Sequence, residues 1–304
     1  MWTVVSSIAL CALPPPLRVL GVQIAPGAHI QQRATQLIRE NPGHELYVMP
    51  ELSSHGYDDT VLSQLDSYAE IADGSTFQHF ANCARDVNAH ICFGYLRRTE
   101  CGGCTICQAV VDPSGELVLS YDKMHLCDMG ACSEVGYGVQ PGSTPGVFEI
   151  NGVKVGVTIC YDIRFPELYR KLAWDADCDL ILHPSAFIRD ATFPCYHQFV
   201  TTRAVENGVY LLSVNYAGED FGDSIAVPPW VGPVPGLIDE GDDQGGAYGH
   251  DEGVLSTRSL GIEEGVLPLL VQPTQGLQER RRHHARGAST HSAGVRARTR
   301  RAPC

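Results

Sequence analysis

Apolar residues recur along the chain in short aliphatic runs, separated by stretches with helical spacing. Residues 18–24 (Arg-Val-Leu-Gly-Val-Gln-Ile) predict a first strand, and Ile30, Ala34, Leu37 and Ile38 fall on one face of a helix over 29–40. Asn41-Pro42-Gly43 stops that helix. Residues 46–49 predict a short strand that runs into Pro50-Glu51, and 52–67 are polar and turn-rich. Phe77, Phe80, Ala81 and Ala84 mark a helix over 76–88, followed by a strand over 90–95 and a loop over 99–105. Residues 109–112 and 117–121 bracket Pro113-Ser114-Gly115, a hairpin signal.

The same alternation returns further on. Val153, Val155, Val157 and Ile159 mark a buried strand over 153–159. Pro166 disfavours helix at Phe165 and suits the first position of a helix, so one is expected to begin there. Strands over 180–183 and 209–215 flank a helix over 198–207. This is α/β organisation in two similar halves joined by the hairpin region. No Gly-rich nucleotide loop stands at a strand-to-helix turn, which disfavours a dinucleotide fold. Beyond Tyr216 the pattern loosens to a strand over 224–227, a Gly-, Pro- and acid-rich solvated loop over 232–253, and a last strand-like run over 264–271.

Composition adjusts this picture in three ways. The 304 residues are 44 % apolar, enough for one sizeable core, and no apolar run approaches a membrane span. The domain is expected over 17–275. Residues 1–16 are apolar without a positive n-region and are expected to be an unstructured appendage rather than a secretory signal, and 276–304 a basic disordered tail. With the eight Arg and one Glu of 279–304 set aside from totals of 22 basic and 35 acidic side chains, residues 1–278 hold 14 basic against 34 acidic. An acidic body argues against a nucleic-acid surface. Twelve scattered cysteines fit reduced thiols and a cytoplasmic setting better than a disulfide framework. Cys101, Cys104 and Cys107 form C-x2-C-x2-C, but Cys83 and Cys127 are only distant fourth ligands, so a loop with incidental cysteines is expected and no metal.

The candidate chemistry lies at strand ends. Glu51, Lys123 and Cys160 each follow a predicted strand, where ligands gather in open α/β folds. Taken singly, each has a plain structural reading: a loop Glu, a surface Lys, a packed Cys. Together they suit acyl transfer. A cysteine attacks as thiolate, Glu51 takes its proton, and Lys123 and the Tyr161 backbone N–H face the developing oxyanion.

The segments Met-Pro-Glu-Leu (49–52), Tyr-Asp-Lys-Met-His-Leu (121–126) and Ile-Cys-Tyr-Asp-Ile-Arg-Phe-Pro-Glu-Leu (159–168) resemble the nitrilase, or carbon–nitrogen hydrolase, superfamily over residues 18–230. The resemblance implies a four-layer αββα sandwich, hydrolysis of a non-peptide C–N bond with Glu51, Lys123 and Cys160 as the catalytic set, no cofactor, and a homodimer or larger homo-oligomer. It also implies a second glutamate ahead of a Pro-Gly. Glu134, before Pro141-Gly142, is assigned there to orient Lys123 or the substrate, with a solvated loop Glu as the alternative. Cys160-Tyr161-Asp162-Ile163-Arg164-Phe165 looks like the amidase branches, including those acting on omega-amides of dicarboxylic acids, since true nitrilases usually carry Trp-Glu after the Cys. A small-molecule linear amide is therefore the expected substrate, yielding ammonia and a carboxylate through a thioacyl-enzyme. N-carbamoyl or nitrile hydrolysis, or a silent binding relative, are the alternatives. Arg164 and Arg189 are candidates to hold a substrate carboxylate, and Arg164 could instead pair with Asp162 or Glu167. His183-Pro184-Ser185 matches the family strand that lines the pocket. Two departures stand out: Thr105-Ile106-Cys107-Gln108 replaces an Asn-containing strand start, and no family C-terminal helix is recognisable beyond Val271.

Overall fold

The computed structural model describes residues 13–129, 132–229, 232–233, 250–251, 254–255 and 257–273. The first half builds β1 (Leu17–Gln23), α1 (Ile30–Glu40), β2 (Leu46–Val48), the short helices α2 (Asp59–Ser63) and α3 (Leu65–Tyr68), α4 (Ser75–Val87), β3 (His90–Arg98), β4 (Cys104–Val111) and β5 (Leu117–Asp122). A two-residue hairpin, β6 (Asp128–Met129) and β7 (Cys132–Ser133), links it to the second half. There follow β8 (Gly146–Ile150), β9 (Val153–Val157), α5 (Pro166–Arg170), β10 (Leu180–Pro184), α6 (Tyr196–Asn207), β11 (Tyr210–Val214) and β12 (Ile225–Val227). Two two-residue strands, β13 (Gly232–Pro233) and β14 (His250–Asp251), flank a third, β15 (Val254–Leu255), and β16 (Arg258–Ser259) and β17 (Gly265–Val271) close the described chain.

Among the described residues the long strands form two six-stranded sheets, β17-β1-β2-β3-β4-β5 and β16-β12-β11-β10-β9-β8. Each has three parallel strands at its centre, β1-β2-β3 and β9-β10-β11, flanked by antiparallel ones. The two-halves reading of the sequence is thus realised as two sheets of like design.

Strand periodicity explains the layering, because alternate residues of a strand face opposite sides. Val19, Leu46, Val48 and Cys92 pack with Val155, Val157, Leu180, Leu182 and Leu212 in a core between the sheets. Their neighbours Leu20, Val22, Tyr47 and Ile91 face Ile30, Ala34, Ile38, Phe80 and Ala84 of α1 and α4. On the far side Ile181 and Leu211 meet Leu168, Tyr169, Val200 and Ala204 of α5 and α6. The central strands of each sheet are buried on both faces, and the order is helix, sheet, sheet, helix.

Several boundaries differ from the sequence reading. The loop read over 99–105 ends at Gly103, because β4 pairs with β3 along its whole length, from Ile91↔Val111 to Arg98↔Cys104. Cys104 and Cys107 therefore lie on a strand, three residues apart, and face opposite cores, while Cys101 is exposed. The helix at Pro166 is present but short, and a 3-10 turn over Cys160–Arg164 precedes it. The segment read as a solvated loop over 232–253 contributes strands to the small three-stranded sheet. The expectations for residues 1–12 and 276–304 lie outside the described residues. No helix among those described is long and apolar enough to cross a membrane.

Candidate active site

Strand directions bring the three strand-end residues together. β2 is parallel to β3, and β5, two antiparallel steps from β3, runs the same way, so Glu51 and Lys123 leave the same edge of one sheet. Cys160 leaves the carboxyl end of β9 in the facing sheet. The sheets pack face to face, and the three side chains meet across them.

Local backbone fixes each position. Glu51 lies on a turn folded against β3: Met49 N–H donates to Cys92 O, Ser54 N–H to Gly94 O, and Tyr216 O–H to Glu51 O at 2.6 Å. A Cβ on Gly94 would stand 2.4 Å from Leu52 N, so only glycine lets this turn approach the strand. Lys123 N–H donates to Ile106 O, and Lys123 O accepts from Gly142 N–H. A Cβ on Gly142 would stand 2.2 Å from Asp122 O, which explains the Pro141-Gly142 pair. Cys160 opens its 3-10 turn at φ +40°, a left-handed conformation that costs a non-glycine residue about 1–3 kcal/mol and gathers at functional sites.

Glu51, Lys123 and Glu134 form a fully buried ion cluster. Lys123 Nζ donates to Glu51 Oε1 at 2.8 Å and to Glu134 Oε1 at 2.6 Å. Glu134 also accepts from Tyr57 O–H at 2.7 Å and, through Oε2, from Cys127 N–H at 2.8 Å. Glu134 is thus no solvated loop residue but the second carboxylate on Lys123. Glu51 Oε2 accepts from Ala186 N–H at 3.1 Å, and the Cys160 thiol lies beside the same carboxyl group and interacts with it.

The electrostatics follow from burial. Desolvation, against the pull of Lys123 and with the repulsion of Glu134, raises the Glu51 pKa from 4.5 to about 7. Burial acts to lower the Lys123 pKa, but Glu134 and Glu51 outweigh it and hold the ammonium well above its ordinary 10.5. Burial and the neighbouring Glu51 push the Cys160 thiol well above 9, against the pull of Lys123. The resting site therefore holds a thiol beside a carboxyl group poised near neutrality and a fixed cation.

Cys160, part-buried, opens on a cleft of about 70 Å³ lined by the rings of Tyr57, Tyr161 and Phe187 and by the charged side chains of Arg164 and Asp190. Among the described residues Arg164 pairs with neither Asp162 nor Glu167, so the structural ion pair considered from sequence is not formed. Its guanidinium packs 5.4 Å from the Tyr161 ring centre and 5.3 Å from that of Phe199, with Thr192 Oγ1 at 3.5 Å, and its buried Nε has no hydrogen-bond partner. Arg189 is otherwise engaged. It pairs with Asp223 at 2.8 Å, donates to Phe221 O and stacks on Phe193, and it does not line the cleft.

His183 also departs from expectation. It is fully buried behind Cys160 and does not line the cleft; its Nε2 lies 2.9 Å from Cys160 O. Strand alternation turns Leu182 toward the core between the sheets and places His183 against the Cys160 turn.

Sequence reasoning missed two supports. Asp162, considered only as a partner for Arg164, is fully buried and accepts four hydrogen bonds: from Tyr121 O–H (2.7 Å), Ile159 N–H (2.9 Å), His125 N–H (3.0 Å) and His125 Nδ1 (2.7 Å). It ties the Cys160 turn to residues on either side of Lys123. Its position inside the Cys-Tyr-Asp run was the available signal. Tyr57 carried none, lying in a polar stretch without periodicity.

Comparison with known proteins places this geometry. The carbon-nitrogen hydrolase family model matches residues 7–244. The chain is 30 % identical over 211 residues to omega-amidase NIT2-A of Xenopus laevis, covering 65 % of this chain and 75 % of that one. It is 33 % identical over 220 residues to a hydrolase of the pqqF 5′ region in Pseudomonas protegens, covering 70 % of each. Among solved structures, a mutant of the amidase from Nesterenkonia sp. AN1 aligns with a TM-score of 0.65 at 25 % identity over 91 % of this chain and 99 % of that one. That structure shows covalent addition of the acetamide moiety of fluoroacetamide at its active site cysteine. Nit3 of Saccharomyces cerevisiae, a member of branch 10 of the nitrilase superfamily, shares the fold with a TM-score of 0.68 at 20 % identity, over 89 % of this chain and 94 % of that one.

Proposed function

The chain belongs to the carbon-nitrogen hydrolase family and is an enzyme of its amidase-like branch, and on that premise we propose that it hydrolyses a small linear amide through a thioacyl intermediate on Cys160. The observation that carries this reading is the buried Lys123 held between Glu51 and Glu134, with the Cys160 thiol beside Glu51 and Cys160 lining the cleft.

The steps follow from the resting protonation. Glu51 takes the thiol proton as Cys160 Sγ attacks the amide carbon. The carbonyl π electrons move to oxygen, and the oxyanion is met by Lys123 Nζ and the Tyr161 N–H. Collapse breaks the C–N bond, and the proton on Glu51 passes to the leaving nitrogen, releasing ammonia. Water then loses a proton to Glu51 and attacks the thioester carbon. The thiolate leaves and is reprotonated from Glu51, and the acid product departs as a carboxylate, its proton passing to solvent. Glu134 keeps Lys123 in place, and no step calls for a cofactor.

The cleft bears on the acyl chain next to the amide. Its volume of about 70 Å³ around Cys160 favours a short acyl chain there, with the remainder of the substrate reaching toward the open mouth. Arg164, with its unpartnered Nε, is assigned to a carboxylate at the far end of such a substrate, which fits an omega-amide and the omega-amidase relatives.

Ammonia release from omega-amides of dicarboxylic acids, aliphatic amides, N-carbamoyl compounds and nitriles tests the proposal. Turnover of short amides, lost in Cys160→Ala and after iodoacetamide, is the expected result. Full turnover by Cys160→Ala overturns the mechanism. Carbon dioxide released with the ammonia, or turnover of nitriles alone, overturns the amide assignment.

A further inference from the structure

A carbonyl and the N–H that follows it belong to one rigid plane, and in a trans peptide they point in opposite directions. The Cys160–Tyr161 peptide is such a unit, since no peptide bond among the described residues is cis. Its carbonyl is held at 2.9 Å by His183 Nε2, on the buried side of the turn. The Tyr161 N–H, in the same plane, lies in the first turn of the 3-10 helix and forms no hydrogen bond among the described residues, which leaves it free for a ligand. Cys160 and Tyr161 both line the cleft.

We infer that His183 is a positioning residue for the reaction, turning the Cys160–Tyr161 peptide so that the Tyr161 N–H faces the oxyanion. This deepens the amidase reading and rests on it. His183 touches no reacting atom; it acts by holding the far end of the peptide that does.

The proton arrangement behind His183 is directional. A carbonyl only accepts, so the proton of the imidazole sits on Nε2 and Nδ1 is an acceptor. Ser213 Oγ lies 2.7 Å from Nδ1, with Ser185 Oγ further off at 3.3 Å. Tyr196 Oη lies 2.6 Å from Ser213 Oγ. The chain that uses the shortest contacts runs from Tyr196 O–H to Ser213 Oγ, from Ser213 O–H to His183 Nδ1, and from His183 Nε2–H to Cys160 O, with His183 O a second, longer acceptor for Ser213 at 3.3 Å. All three side chains are buried. Burial also lowers the His183 pKa to about 4, so the ring stays neutral in this single tautomer through the working pH range.

The test compares His183→Leu, which removes the donor, with His183→Gln, whose side-chain amide N–H replaces Nε2–H. Three quantities are measured on folded protein: kcat and KM for the best amide of the panel, inhibition by butyraldehyde, and the rate of Cys160 alkylation by iodoacetamide. The aldehyde forms a tetrahedral hemithioacetal that carries the oxyanion, whereas alkylation at saturated carbon forms none. His183→Leu is expected to lower kcat about 10- to 100-fold with KM within about threefold, and to weaken the aldehyde by a similar factor. It is expected to leave alkylation within about threefold, and His183→Gln to recover most of kcat. Should His183→Leu not fold, Ser213→Ala, which frees the tautomer, is read by the same three measurements with smaller expected changes. Unchanged aldehyde inhibition, or alkylation falling in step with kcat, overturns the inference, because the nucleophile itself would then have moved. Failure of the amidase reading shows separately, as turnover by Cys160→Ala.

Discussion

Lys123 Nζ lies 2.6 Å from Glu134 Oε1, nearer than to Glu51 Oε1 at 2.8 Å. Glu134 also takes hydrogen bonds from Tyr57 and Cys127, whereas Glu51 keeps the Cys160 thiol as a partner. The structure thus divides the work of two carboxylates on one ammonium: Glu134 anchors the cation, and Glu51 is placed to exchange a proton.

Glu134→Gln tests that division. Gln keeps an acceptor for Lys123 but removes the negative charge whose repulsion helps raise the Glu51 pKa. The acid limb of the kcat/KM profile should move below about 7, and kcat should fall by up to about 100-fold, the cost of a misplacement near 1 Å. Lys123→Met should be harsher. It leaves two carboxylates buried without their cation, at a cost of about 3–5 kcal/mol in denaturant unfolding, and abolishes turnover. An acid limb that stays in place in Glu134→Gln would refute the coupling.

The wild-type profile follows from the same shift. Glu51 must be ionised to take the thiol proton, so kcat/KM should rise with pH through a midpoint at about 7. The stability linkage has the opposite sign. A carboxyl group whose pKa is raised from 4.5 to about 7 favours the folded state while protonated, and this contribution fades as pH climbs from 4.5 through about 7. Activity should therefore increase over a window in which the Glu51 contribution to stability declines. Glu51→Gln, followed by urea denaturation between pH 5 and pH 8, should show a flatter pH dependence than wild type and no turnover.

The motif residues and strand ends were legible in the sequence because short aliphatic runs and Pro/Gly punctuation are local signals. Those signals placed Glu51, Lys123 and Cys160 at strand ends, and strand directions then bring all three together. What they do not carry is the partner across the sheets. His183 was read as lining the pocket from its strand, yet its contact is the carbonyl of Cys160, 23 residues earlier. Arg189 reads from the sequence as a carboxylate ligand, but Asp223 stands beside it, a pairing set by a loop with no periodicity. Glu134 also admits a loop reading, because a cluster made by Lys123, Tyr57 and the Cys127 N–H is tertiary in origin.

Asp162 gives a prediction about rigidity. It is fully buried and takes four hydrogen bonds, one from Ile159 N–H within the left-handed Cys160 turn and three that hold that turn to Tyr121 and His125. Asp162→Ala strands those donors, and each unpaired buried group costs about 1–3 kcal/mol, so a loss of about 3 kcal/mol in unfolding free energy is expected. Iodoacetamide should also alkylate Cys160 more slowly, as the sulfur loses its fixed approach. A variant with wild-type stability and alkylation rate would show that the turn holds itself.

Gly94 makes the narrowest structural prediction. The turn carrying Glu51 comes so close to β3 that a Cβ at residue 94 would stand 2.4 Å from Leu52 N and 3.1 Å from the carbonyl carbon of Glu51. Neither neighbour is a flexible side-chain end, so Gly94→Ala must push the turn away from the strand. Overpacking of this kind costs about 1–3 kcal/mol. The displaced atoms carry the Glu51 carboxylate away from Lys123 Nζ, now 2.8 Å away. Gly94→Ala should therefore lower kcat by more than its stability loss accounts for, measured well below its melting temperature, with KM little changed. Gly102, with nothing within 4 Å of its Cβ position but φ at +84°, is the control: Gly102→Ala strains only an exposed loop and should leave kcat at the wild-type value.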